Sequence, residues 1–167
     1  VGSVGDKEAF VHLVEKLMIR WGYSHVEGRI YALLLLRGEP MTISDLVEET
    51  GFSRSAISTA LSRLQRDYLV EVQKRGRTKY FTAIPALFEK FLEQPKIILE
   101  KEVMPLEETV RKLLAKESLE GRRKKLVELL VELRLLEYAL LRLIEIEAEE
   151  LRKTYLRDEL KDEKPFK

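Results

Sequence analysis

The sequence predicts a mainly α-helical protein with one small β-hairpin, in which a short-helix region near the N-terminus is followed by long C-terminal helices. Three observations predict it. Short helical segments between residues 24 and 66 each begin at a Ser or Thr with capping spacing, and two of them end on Gly. Residues 68–84 alternate apolar and polar side chains around a single Gly. Residues 126–146 hold 15 apolar side chains among 21, with charges scattered through the run.

A first helix is expected from Lys7 to about Arg20 on an Asp6 N-cap, with Phe10, Leu13, Val14, Leu17 and Met18 as its apolar face. The stretch WGYSH breaks it. Ser24 and Glu27 then have capping-box spacing, in which each side chain satisfies a free backbone N–H. The helix they start carries Val26, Ile30, Leu33 and Leu34 and stops near Gly38. Thr42 caps ISDLVEET, which ends at Gly51, and Ser53 caps RSAISTALSRLQRD. Two short helices around a tight Gly-containing turn make a helix-turn-helix. In its second helix Ile57, Ala60, Leu61 and Leu64 recur at core spacing, opposite Ser55, Ser58, Thr59 and Ser62. YLVEVQ and KYFTAI read as two strands joined at RGRT, with Gly76 in the turn, so the hairpin takes the place of a wing.

Pro85 is expected to start a short helix bearing Leu87, Phe88, Phe91 and Leu92, Pro95 to end it, and Pro105 to kink or restart the next. Beyond Gly121 one helix is predicted from Arg122 to about Asp158. Glu128, Glu132, Arg134, Glu137, Arg142 and Glu145 interrupt its apolar run, a charge load too costly inside a bilayer, so no membrane span is predicted. Its apolar stripe, which also includes Leu130 and Ile144, is wider than one packing face. A second copy of the chain is the expected partner for the excess, through Leu129, Leu133, Leu136, Leu140 and Leu143. The resulting division is a supporting helix for core or dimer (1–23), a winged helix-turn-helix (24–94) and a helical dimerisation region (95–167).

The formal net charge is only +1, but it is unevenly spread. Residues 1–50 carry five basic and eight acidic groups, and 83–163 carry 16 and 19, so each stretch sums to −3. Residues 51–82 hold Arg54, Arg63, Arg66, Lys74, Arg75, Arg77 and Lys79 against Asp67 and Glu71, which is +5. A basic patch confined to one segment suits a polyanion. Small hydroxyl side chains let a helix approach base edges and exchange hydrogen bonds there, while flanking arginines hold phosphates. The expected DNA contacts are therefore Ser53, Arg54, Ser55, Ser58, Thr59, Ser62, Arg63 and Arg66 on the helix. Lys74, Arg75, Arg77 and Lys79 join them from the hairpin, whose tip arginines are candidates for a minor groove.

These residues resemble the winged-helix core of MarR-type transcriptional regulators, in particular the GbsR-like branch. The resemblance spans residues 26–92 and rests on Gly28-Arg29-Ile30-Tyr31, Gly38 to Met41, Asp45 to Glu48, and Ser53 to Leu64 followed by Leu69-Val70. It implies a homodimer that binds a pseudo-palindromic operator in double-stranded DNA, usually as a repressor, with effectors too diverse to carry one over. The family usually has Gly where Asp67-Tyr68 precede Leu69, and its wing is usually longer. Two alternatives remain: a winged helix that docks protein, and a TrmB-like sugar-sensing regulator. The latter would normally carry a larger effector domain than the ~70 residues left after the wing, short for a separate domain.

Other functions find little support. There is no Cys, hence no disulfide framework, thiolate metal site or cysteine nucleophile, and two His make a metal centre hard to build. His12 is expected on the solvent side of its helix and His25 in a first turn, neither with a ligand or triad partner. No phosphate loop, histidine-carboxylate motif or nucleophile elbow occurs, so no enzyme, cofactor or metal is expected. Trp21, Tyr23 and Tyr31 either line an effector pocket or belong to the core. The opening VGSVGDKE lacks the blocks of a signal peptide, so a cytoplasmic protein with a loose leader at 1–5 is expected. Absence of Asn, three Gln and 35% charged residues point to a heat-adapted source.

Overall fold

Helix α1 (Val4–Arg20) begins earlier than expected, so Asp6 lies in its first turn instead of capping it, and residues 4–5 are helical. The computed structural model describes residues 4–116, 121–146 and 148–159, so the first three residues of the expected leader lie outside it. The buried face of α1 is Val11, Val14, Glu15 and Met18, whereas Phe10 is exposed and Leu13 is 63% exposed. The cause is the neighbouring helix α2 (His25–Arg37). A Cβ on Gly28 would stand 3.1 Å from both Cα and O of Glu15, so the two backbones approach closely there. That contact turns the Glu15 side of α1 inward.

The expected capping boxes form. Glu27 N–H donates to Ser24 Oγ at 3.2 Å and Ser24 N–H to the Glu27 carboxylate at 2.6 Å. Helix α3 (Ile43–Thr50) repeats the pattern with Thr42 and Asp45, whose carboxyl is held below the usual range by hydrogen bonds from the Thr42 backbone and hydroxyl. Helix α4 (Arg54–Arg66) starts on Ser53. Strands β1 (Val70–Arg75) and β2 (Thr78–Ala83) pair antiparallel from Val70↔Ala83 to Arg75↔Thr78. Only Gly76 and Arg77 are left for the turn, shorter than the expected RGRT, and Gly76 supplies its φ of 62°. Met41 adds a bridge to Phe81, with N–H···O distances of 2.9 and 2.8 Å. The core between these elements includes Met18, Ile30, Leu34, Leu46, Ile57, Leu61, Leu64 and Leu69. Tyr31 belongs to it: its hydroxyl donates to Ile84 O at 2.8 Å and accepts from Ala86 N–H at 3.3 Å. Burial raises its pKa above the ordinary tyrosine value.

The chain divides into two units, 1–86 and 87–167. In the second unit α5 (Leu87–Ile98) runs straight through Pro95, which was expected to end it. Pro95 is buried, and that apolar burial offsets the one lost backbone hydrogen bond. A widened π-type turn, Leu99–Val103, leads into α6 (Met104–Leu114), and Met104 N–H bonds to Leu99 O. The wide turn accommodates Pro105, which has no N–H to give. The predicted helix from Arg122 to Asp158 is instead two, α7 (Arg123–Ile144) and α8 (Ala148–Glu159). Glu145 and Glu149, four residues apart, repel along a continuous helix. A break suits the acids better, because Glu149 and Glu150 then fall in a first turn, where the helix dipole favours them. Leu99, Val103, Val110, Leu133 and Leu140 form the core of this unit. Leu133 and Leu140, expected at a dimer interface, are therefore internal; Leu129, Leu136 and Leu143 stay exposed. No helix among the described residues is long and apolar enough to cross a membrane.

Candidate nucleic-acid interface

Helix α4 buries Ile57, Ala60, Leu61 and Leu64 and exposes Ser55, Ser58, Thr59 and Ser62. Its ends are fixed by side chains that had been expected to touch DNA. Ser53 Oγ accepts from Ala56 N–H at 3.1 Å, so this hydroxyl caps the helix. Arg54 donates to Ser44 Oγ at 2.5 Å, which braces α4 against α3. Ser62 Oγ turns back to Ser58 O at 2.9 Å. The outward hydroxyls that remain are Ser55, Ser58 and Thr59.

Arg63 departs furthest from the expected phosphate contact. It donates to Glu27 Oε2 at 2.9 Å and to Gly22 O at 3.0 Å, and its guanidinium lies 4.6 Å over the Tyr23 ring. Tyr23 in turn donates to Asp67 Oδ2 at 2.9 Å. The cluster ties the C-terminal end of α4 to the corner between α1 and α2, and both Tyr23 and Tyr31 are buried in the core. Arg66 is exposed, with Asp67 at 3.4 Å.

At the junction with the wing, Tyr68 takes a left-handed φ of 58° and is 80% exposed. Leu69 N–H bonds to Leu64 O at 2.9 Å and Tyr68 N–H to Gln65 O at 3.1 Å, the Schellman arrangement that ends helices. Tyr68, a non-Gly residue, thus bears the strain of the left-handed turn into the strand.

On the wing, residues 71–79 are all exposed, and the register sets Lys74 directly opposite Lys79. Like charges facing each other across a two-stranded ribbon destabilise it, and an anion between or beside them reverses that cost. Arg75 stacks 4.9 Å over the Tyr80 ring, which holds its guanidinium on the hairpin, while Arg77 sits in the loop. His25, expected in a first turn, contacts the buried Glu15 carboxylate, which also has Arg29 at 3.7 Å, and meets Phe52 edge-on at 5.7 Å. Among the described residues no group of three or more His, Cys, Asp and Glu is arranged to hold a metal ion.

Residues 17–86 match the model of a family described as "Sugar-specific transcriptional regulator TrmB". The first unit is a winged helix of the transcription-regulator kind. The match ends where that unit ends, at Ala86. A solved structure described as "Crystal Structure of a transcriptional regulator" is similar over 83% of this chain and 95% of that one, at 19% identity and a TM-score of 0.49. No curated protein matches the chain. The matching model is thus that of the TrmB alternative, not of the MarR-type, GbsR-like branch; both describe a winged-helix regulator.

Proposed function

We propose that this regulator works as a homodimer on a pseudo-palindromic operator, usually repressing, with α4 in the major groove and the wing beside the phosphates. Ser55, Ser58 and Thr59 read base edges; Arg66, Lys74, Arg77 and Lys79 hold backbone. Arg54 and Arg75 contribute charge from braced positions, and Ser53, Ser62 and Arg63 act by positioning the helix. The chain carries no catalysis in this reading. The observation that carries it is the exposed hydroxyl face of α4 beside a wing whose opposed lysines suit an anion.

The two family readings differ in the region beyond the wing. The TrmB match favours a sugar as effector, whereas a MarR-type, GbsR-like regulator takes effectors of varied chemistry. Selecting DNA from a random pool with the purified protein tests the main proposal. Enriched fragments should carry two inverted half-sites about one helical turn, ~34 Å, apart. No enrichment would overturn the DNA reading and favour a winged helix that docks protein.

A further inference from the structure

A helix in the major groove meets base edges with its N-terminal residues. Guanine is read there by a bidentate Arg or Lys, and adenine by a bidentate Asn or Gln. The N-terminal half of α4 is poor in all four. The chain has no Asn, and from Arg54 to Thr59 the helix holds no Lys or Gln. Arg54 is engaged by α3, through its 2.5 Å bond to Ser44 Oγ. Arg63 is tied to Glu27 and Gly22, while Gln65 and Arg66 stand at the far end of the helix. What the N-terminal half shows to solvent besides Arg54 is Ser55, Ser58 and Thr59, with Ala56 half-exposed among them.

We infer that α4 reads thymine methyl groups through Ala56 and Thr59, so that the core of each half-site is A·T and the helix reads no guanine there. This rests on the DNA reading above and names what that surface recognises. A serine hydroxyl donates or accepts and so suits any base, whereas a methyl group makes apolar contact with one alone, the C5-methyl of thymine. Ala56 and Thr59 both carry a methyl and, three residues apart, are neighbours on one face of the helix. No side chain between Ser55 and Thr59 on that face is longer than Thr, so the helix can lie deep enough for methyl to meet methyl. The wing favours the same composition. Arg75 is held over the Tyr80 ring, which leaves Arg77 as the exposed guanidinium of the turn, and arginine is drawn to the narrow minor groove of A-tracts.

Duplexes selected by the full-length protein from a random pool supply the probes, titrated by fluorescence anisotropy at fixed salt. Replacing a single core thymine by uracil removes only the C5-methyl. At one or more positions in each half-site it should weaken binding about fourfold, the worth of one buried methyl group. Thr59→Ser keeps the hydroxyl and should bind the thymine and uracil forms of one such position equally. Thr59→Val keeps the methyl and should retain the preference. Replacing core guanines by 7-deazaguanine, which lacks the N7 acceptor that arginine uses, should leave affinity unchanged. Three results overturn the inference and leave DNA binding standing: uracil tolerated at every core position, a methyl preference that survives Thr59→Ser at all of them, or a loss with 7-deazaguanine that disappears in Arg54→Ala. A pool that yields no enriched fragment overturns the DNA reading and this inference with it.

Discussion

Arg63 separates what spacing reveals from what only folding reveals. Its position beside a hydroxyl face marks it as a phosphate contact, yet its partners Gly22 and Glu27 lie 41 and 36 residues away. No local pattern announces them. Arg63→Ala should lower stability by about 1–3 kcal/mol, because it leaves the nearly buried Glu27 carboxylate without its cation. Urea denaturation reads this; an unchanged midpoint with weakened DNA binding would return Arg63 to the phosphates. Tyr68 was legible as a departure from the expected Gly, and its φ shows how the chain absorbs it. Tyr68→Gly should stabilise by about 1 kcal/mol by relieving left-handed strain, read by the same titration.

Helix caps were the most legible feature at the level of elements, since Ser24-Glu27, Thr42-Asp45 and Ser53 act within one turn and need no distant partner. The hairpin was equally plain, because a Gly between alternating strands admits few turns. What failed were inferences from single residues: Pro95 does not end α5, and no Gly or Pro marks the break between α7 and α8, which comes at the acidic run from Glu145. The exposed hydroxyl face of α4 was legible, but not the caps and braces that occupy Ser53, Arg54 and Ser62. Ser58→Asp or Thr59→Asp should abolish specific DNA binding with unchanged circular dichroism, because the carboxylate meets a negative groove. A folded variant that shifts operator DNA normally would move the reading face elsewhere. Arg77→Ala should weaken binding less, and most on A·T-rich flanks if the loop enters a minor groove.

For the whole molecule, the confined positive charge dictates the salt response. A dimer engaging several phosphates per subunit should lose roughly 10³-fold in affinity between 50 and 200 mM salt. A titration by fluorescence anisotropy that ignores salt would contradict the interface. Residues 1–86, which carry their own core, should fold alone when cut after Ala86 but bind an operator far more weakly than the full chain, because one half-site replaces two. Equal affinity would show that the second unit adds nothing to recognition. Excess apolar surface on α7 was legible; which leucines were excess was not, since that depends on the rotation that α5 and α6 impose on it.

The tie between α4 and the α1–α2 corner has a consequence for how such a protein can change its target. The side chains that hold α4 and those it presents outward are separate sets: Glu27, Arg63 and Asp67 hold the helix, while Ser55, Ser58 and Thr59 face outward. On the proposed reading, substitutions among the outer three should redirect the chain to a new stretch of genome without renegotiating its stability. Paralogues that keep the tie and vary the trio would form a set of regulators sharing one chassis.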